Sequence, residues 1–267
     1  MKVEKIEKNV DVTLDPIKSV IASTQKTENV WPIDNLPSQY KLYPEGTKIL
    51  GRPLKVQEIK MLSTLNEDNV NFVLNDVLGR AITGIRVEDL IIADKLYIIF
   101  WLRANTYKDS SYKIDFKCPD CGTKDKYEFQ LDALKIKYLS EKYNETEARQ
   151  LPSGRTAKIK QMRISDEIRV ANFEKANASS LQSFDTDFLH IAALITEVDG
   201  KKVGIIESYD FISKATPEDY AYIISYMNFY DFGVDPETPV SCKKCGGQTA
   251  VAVTFRPDFF VPKYSFE

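Results

Sequence analysis

Residues 112–131 read YKIDFKCPDCGTKDKYEFQL, and residues 239–255 read PVSCKKCGGQTAVAVTF. In each stretch a C-x-x-C-G sits between runs that alternate apolar and polar side chains, as in Tyr127-Glu128-Phe129 and Val251-Ala252-Val253. Such alternation suits the two strands of a β-hairpin. Two residues between cysteines let one tight turn aim both sulfurs at a single ion. Gly122 and Gly246 follow at the point where a residue without Cβ accepts positive φ. Four thiolates satisfy the tetrahedral preference of zinc and leave it no open position for water. Cys118, Cys121, Cys242 and Cys245 are therefore the expected ligands of one structural Zn ion, with the two knuckles joined as a zinc ribbon. Sequence does not separate zinc from Fe in the same four-sulfur cage.

The obstacle is distance along the chain. Between Cys121 and Cys242 lie 120 residues, against roughly 15–20 in a compact ribbon. Closing the longer loop costs only about 2 kcal/mol more by the logarithmic rule. That is small beside the roughly 10–16 kcal/mol apparent for structural zinc in finger peptides. Two other readings of the pairs stand beside this one. A redox dithiol normally opens a helix, whereas strand-like sequence follows here. A knuckle could also pair with one from another chain.

On either side of the knuckles the sequence repeats itself. Leu36-Pro37-Ser38 opens one half and Leu151-Pro152-Ser153 the other. Turns at Pro44-Glu45-Gly46 and Ser153-Gly154-Arg155 predict a β-hairpin at the start of each. Arg52 then leads to a helix start at Glu58-Ile59-Lys60, and Arg163 to one at Glu167-Ile168-Arg169, with Ser165 as N-cap. Apolar spacing predicts a second helix over 68–82 and over 185–198, and a third over 87–107 and over 217–232. Glu88-Asp89 and Glu218-Asp219 fall in the first turn of the third helices, where carboxylates favour the dipole. The offset between copies is 115 at Leu-Pro-Ser, 109 at the first helix, 130 at the acid pair and 124 at the knuckles. The halves therefore differ by insertions, chiefly residues 197–215.

The expected fold is α+β, with two related helical halves, each opening with a hairpin and ending in a knuckle. An N-terminal arm covers 1–35, a first repeat 36–131, a linker helix 132–150, a second repeat 151–256, and an extended aromatic tail 257–267.

Lys plus Arg number 36 against 39 for Asp plus Glu, a balance that argues against a dedicated non-specific nucleic-acid binder. The first residues lack the apolar core of a secretory signal, so a reducing compartment is expected, where paired cysteines point to metal. The most apolar run, 96–102, falls short of the roughly 20 residues that span a bilayer and reads as a buried helix. No phosphate-cradling glycine motif and no G-x-S-x-G occurs. His190, the single histidine, lies on an apolar face of its helix and reads as a core or surface residue rather than a catalytic one. Asp185 with Asp187, like Glu88-Asp89, reads as helix capping. No catalytic residue, bound organic cofactor or small-molecule substrate is expected.

Residues 36–62, LPSQYKLYPEGTKILGRPLKVQEIKML, resemble the opening signature of T4-like bacteriophage baseplate hub and hub-assembly proteins. Leu36-Pro37-Ser38, Tyr43-Pro44, Arg52-Pro53-Leu54 and Glu58-Ile59-Lys60 carry the likeness. The third helix and the CPDCG knuckle are also similar. The resemblance covers 36 to about 135 directly and the rest through the internal copy, and it does not itself supply the zinc. It implies a non-enzymatic structural or assembly component of the tail baseplate hub. Such a protein acts in the host cytoplasm during assembly and resides in the virion tail baseplate if retained. Its implied partners are other hub proteins, with the tape measure or central spike as further candidates, and no membrane. The competing reading is a zinc-ribbon nucleic-acid adaptor or phage transcription factor. Lys113, Lys117, Lys124, Lys126, Lys243 and Lys244 surround the knuckles, but Asp115, Asp120 and Asp125 interleave with them and blunt the field.

Overall fold

The computed structural model describes residues 30–107, 111–131, 135–177, 184–235 and 237–261. In the first half, β1 (Trp31–Pro32), β2 (Leu50–Gly51) and β3 (Ile82–Thr83) form an antiparallel sheet in that order. Helices α1 (Val56–Leu62) and α2 (Val70–Ala81) lie between β2 and β3; α3 (Ile92–Thr106) and the hairpin β4 (Ser111–Lys117)–β5 (Lys124–Gln130) follow. β6 (Ile136–Lys137) leads to the second half. There β7 (Arg149–Gln150), β8 (Thr156–Ile159), β9 (Ile195–Val198) and β10 (Lys201–Lys202) make a sheet, with α4 (Ile164–Asn177) and α5 (Thr186–Leu194) between β8 and β9. Then come α6 (Ile205–Ser213), α7 (Pro217–Phe229), β11 (Gly233–Val234), the hairpin β12 (Glu237–Ser241)–β13 (Gln248–Ala252), and α8 (Pro257–Phe260). The result is a mixed α+β fold with eight α-helices among the described residues and several small sheets.

Buried carboxylates organise both helical parts. Glu58 takes two hydrogen bonds from the Arg52 guanidinium, at 2.9 and 2.7 Å, and accepts the Lys55 N–H at 2.6 Å, closing the first turn of α1. Asp166 takes the Lys160 ammonium at 2.6 Å and accepts the Arg163 N–H at 3.1 Å, closing the first turn of α4. The Arg52 N–H meets Ala81 O at 3.1 Å, and the Lys160 N–H meets Leu194 O at 2.9 Å. Asp166 thus holds the position of Glu58, and Lys160 that of Arg52; the expected match to Glu167 and Arg163 is out of register. A side chain that must reach a buried cation and an N-terminal N–H is fixed by its place on the helix, not by the letters around it. Glu167 turns to Lys95, at 3.0 Å, and Ser165 lies inside the first turn of α4 rather than at its cap.

The third helices show the same kind of shift. α3 starts at Ile92, and its third residue, Asp94, is fully buried and accepts the Ser38 N–H at 2.9 Å and the Tyr43 hydroxyl at 2.6 Å. α7 starts at Pro217, and its third residue, Asp219, accepts the Ser153 N–H at 2.9 Å. Asp94, not Asp89, is therefore the geometric counterpart of Asp219. Glu88-Asp89 belongs to a separate 3-10 turn, Val87–Asp89, with Asp89 paired to Arg86 at 2.8 Å on the surface. Thr216 caps α7, its hydroxyl accepting the Asp219 N–H at 3.2 Å. Thr216→Ala is expected to cost about 1 kcal/mol, read as a small drop in the urea midpoint at unchanged slope.

Several other expectations are revised. The second half does open with a hairpin, β7–β8 around Leu151-Pro152-Ser153. In the first half, β2 instead pairs with β1 and β3, and residues 37–43 coil as turns. The expected linker helix over 132–150 is not present over 135–150. β6 pairs with β11, the Leu139 N–H bonds Pro37 O at 2.9 Å, and β7 joins the second sheet. Those backbone bonds go to neighbouring strands and turns, so the segment has no need of a helix. Residues 31–35 belong to the fold rather than to an arm, since Ile33 is fully buried; the rest of the arm, 1–29, lies outside the described residues. The tail is not extended across a surface: Pro257–Phe260 is a helical turn whose Phe259 and Phe260 are buried against Phe100 and Phe255, while 262–267 lie outside the described residues. His190 faces solvent. Asp185 caps α5, accepting the Phe188 N–H at 3.0 Å.

The main core gathers Leu36, Leu78, Ile98 and Phe100 with Val240, Val251 and Phe259. The second knuckle's hairpin and the C-terminal turn thereby pack into the first half. A smaller core holds Ile159, Leu194, Ile195 and Ile223. Helices α3 and α4 are joined by an isolated antiparallel bridge, Ile91 to Arg163. No helix among the described residues is long and apolar enough to cross a membrane.

Candidate metal centre

The two cysteine pairs sit at the tips of β4–β5 and β12–β13 and share one turn geometry. The Cys118 N–H bonds Thr123 O at 2.9 Å and the Gly122 N–H bonds Cys118 O at 3.0 Å; the Cys242 N–H bonds Gly247 O at 2.8 Å and the Gly246 N–H bonds Cys242 O at 2.9 Å. Gly122 and Gly246 have φ of 68° and 75°, the left-handed conformation that favours glycine. Each turn points two sulfurs away from its own hairpin and toward the other.

All four sulfurs lie within 4.8 Å of one another. The closest approaches cross between the hairpins: Cys118 Sγ to Cys245 Sγ is 3.6 Å, and Cys121 Sγ to Cys242 Sγ is 3.7 Å. A tetrahedron with metal–sulfur bonds of about 2.3 Å has edges of about 3.8 Å, so the spacing fits a thiolate-coordinated ion. It is far from the ~2.05 Å of a disulfide, and all four thiols are free. Both pairs come from one chain, so the arrangement needs no knuckle from a neighbour. Cys118 and Cys242 are buried, while Cys121 and Cys245 lie at the surface.

The sulfurs are electrostatically unequal. Hydrogen bonding with Thr123, whose Oγ1 lies 3.2 Å from Cys121 Sγ, lowers the Cys121 thiol to about 6. The Gly247 N–H pulls Cys245 down as well, but the Cys121 and Cys118 sulfurs outweigh it and push Cys245 up to about 12. Four sulfurs this close resist ionising together, and a cation among them removes that resistance.

Sequence reasoning missed two supporting residues. A Cβ at Gly247 would stand 2.0 Å from Asp120 Oδ2 and 3.3 Å from Cys245 Sγ. The second glycine of Cys245-Gly246-Gly247 therefore lets Asp120 of the first knuckle lie against the backbone of the second. The doubled glycine was the available signal. Gly247→Ala is expected to lower metal affinity about 10–100-fold, the usual range for groups that orient ligands; adding Asp120→Ala should restore most of it. Competition against a chromophoric chelator reads both.

Three of the six lysines around the knuckles face carboxylates. Lys113 lies 3.7 Å from Glu128, Lys126 lies 3.7 Å from Asp115, and Lys243 lies 3.7 Å from Asp125. Those carboxylates reduce the field that this surface presents to a phosphate backbone.

Against known proteins, the model of a family described as T4 bacteriophage base plate protein matches residues 32–261. The matched span includes both hairpins, both helical parts and the aromatic C-terminal turn. No curated protein and no solved structure gives a match.

Proposed function

Because the chain belongs to the T4 bacteriophage base plate protein family, we propose that it is a non-enzymatic structural or assembly component of the baseplate hub of a contractile tail, held together by one structural zinc ion. Its ligands are Cys118, Cys121, Cys242 and Cys245, and the two hairpins form a ribbon around the ion. The observation that carries the metal is the crosswise approach of the sulfurs at 3.6 and 3.7 Å. The ion clamps a hairpin from each half of the sequence, and the second hairpin leads into the turn that carries Phe259 and Phe260 into the main core. Four thiolate ligands leave the metal no site for a substrate water, so its role is mechanical.

The duplication belongs to the same proposal. Ser38–Asp94 with Ser153–Asp219, and Arg52–Glu58 with Lys160–Asp166, are equivalent contacts in equivalent places. They support one ancestral unit used twice, with α6 and the β9–β10 turn as the insertion. The partners are other hub proteins, encountered in the host cytoplasm during assembly, and the chain resides in the virion baseplate if it is retained.

Quantitative mass spectrometry of purified tails and tail precursors tests the assembly role. The chain is expected in at least one of them at fixed stoichiometry to other baseplate proteins, and its absence from both would end the reading. Elemental analysis of protein purified without chelator tests the metal independently.

A further inference from the structure

The two helical halves meet where the entry to one helix lies against the entry to another. Ile91 bridges Arg163, the Ile92 N–H donates to Met162 O at 2.9 Å, and the Ile164 N–H donates to Leu90 O at 2.9 Å. One turn further in, Lys95 of α3 reaches Glu167 of α4 at 3.0 Å. Leu90, Ile91 and Ile164 are buried by this contact.

Each half also carries its own version of the entry that the other half contributes, and hydrogen bonds fix the equivalences. The Lys55 N–H donates to Glu58 and the Ile59 N–H to Lys55 O; the Arg163 N–H donates to Asp166 and the Glu167 N–H to Arg163 O. Val56 therefore stands where Ile164 stands. The Lys95 N–H donates to Ile91 O at 2.8 Å, and the Tyr220 N–H to Thr216 O at 3.0 Å. Ala215, Thr216 and Pro217 therefore stand where Leu90, Ile91 and Ile92 stand. These second entries are bare. Val56 is 81% exposed where Ile164 is 0% exposed, and Thr216 and Pro217 face solvent where Ile91 is buried.

A twofold relation between the halves would close both contacts within the chain. The exposure of Val56 shows that the second contact is left open, with one unused face on each half. The two unused faces match each other. In place of Lys95 and Glu167 they carry Tyr220 and Ile59, both half-buried, so an apolar pair replaces an ion pair on both sides together. Val56 faces the counterpart of Leu90, which is Ala215. Pro217 has no N–H, so of the two backbone bonds only that from the Val56 N–H to Ala215 O carries over. A single apolar side chain in water is ordinary, but here the fold itself displays what covers the equivalent position.

We propose that a second copy of this chain covers Val56, setting its Ala215–Pro217 entry against the Lys55–Val56 entry of the first in the manner of Leu90–Ile92 against Arg163–Ile164. The contact is heterologous, so copies add head to tail and form a ring where the rotation closes or a filament where it does not. The proposal draws on the duplicated contacts and not on the baseplate role, so absence of the chain from tails leaves it standing.

The test uses the purified full chain with its metal. Sedimentation velocity is expected to show association that rises with protein concentration. With p-benzoylphenylalanine at position 56 and an equal amount of isotope-labelled chain, photo-adducts are expected on residues 215–220 of the labelled copy. Val56→Asp places a carboxylate in the first turn of α1, where it favours the helix dipole. It should weaken association at least tenfold with circular dichroism and metal content unchanged. Phe72→Asp, at a 76% exposed site on α2, should associate like the unaltered chain. A chain that stays monomeric at every concentration, adducts confined to the probe-bearing copy or to other parts of the labelled one, undiminished association of Val56→Asp, or equal loss in Phe72→Asp would each overturn the proposal.

Discussion

Cys242→Ser is expected to abolish metal binding and to unfasten the C-terminal hairpin and helical turn, residues 237–261. Structural zinc contributes roughly 10–16 kcal/mol in finger peptides, as much as the entire stability of an ordinary domain, about 5–15 kcal/mol. Losing one of four ligands forfeits most of it. The consequence reaches beyond the hairpin, because β12–β13 and α8 supply Val240, Val251, Val253, Phe259 and Phe260 to the main core. The Arg103 guanidinium and the Tyr107 hydroxyl hold the same segment from the other side, donating to Phe259 O and Phe260 O at 2.8 Å each. Those contacts are expected to leave a partly docked, exchanging C-terminus rather than a wholly unfolded chain. Hydrogen exchange should show fast amides across 237–261 together with a sharply lower urea midpoint. Chelator treatment of the unaltered protein should reproduce both effects. Full metal content and an unchanged midpoint in the variant would contradict the assignment.

Arg52→Ala is expected to destabilise the first half by about 3–5 kcal/mol, the cost of leaving one member of a buried ion pair without its partner. Arg52 and Glu58 are both nearly inaccessible, with side-chain exposures of 9% and 5%. Burial alone would raise the Glu58 pKa, but the hydrogen bonds from Arg52 and from the Lys55 N–H outweigh it and hold the carboxyl below its ordinary value of 4.5. A depressed folded pKa means that this stabilisation is present above the unfolded value and is lost as the pH falls through the folded one. In Arg52→Ala the desolvation is unopposed by the guanidinium, so the carboxyl rises and the penalty is greatest at neutral pH. The difference in urea midpoint between the two proteins should accordingly narrow as the pH drops from 7 to 4. Replacing both residues, Arg52→Met with Glu58→Leu, should cost less than Arg52→Ala alone, since no buried charge is then stranded.

The knuckles were legible because the chemistry and the turn are written together: two sulfurs three residues apart, then a glycine where φ is positive, then alternating strands. That they meet across 120 residues was expected only from the proposed repeat, in which each copy brings its own pair. The proposed repeat is out of register at two of its acids when matched by letters alone. Glu88-Asp89 matches Glu218-Asp219 in letters, yet Asp94 does the work of Asp219, because it is the third helical residue that reaches the Leu-Pro-Ser turn. Likewise Asp166, with one methylene fewer than Glu58, reaches a lysine in place of an arginine. These identities are set by distances across the fold, which string matching does not contain. The segment after residue 131 and the aromatic C-terminus were misread for a related reason. Charge over 135–150 says that the segment lies at the surface, but its conformation is decided by β11 and Pro37, which offer backbone partners from elsewhere. Phe259 and Phe260 look like a sticky tail until Phe100, Tyr112 and Phe255 are found around them.

X-ray absorption at the zinc edge, on full-length protein purified without chelators, tests directly whether one ion joins the two hairpins. One zinc per chain with four sulfur neighbours at about 2.3 Å is the predicted spectrum. A metal-free protein, or a metal shell containing nitrogen or oxygen in place of any of the four sulfurs, would contradict it.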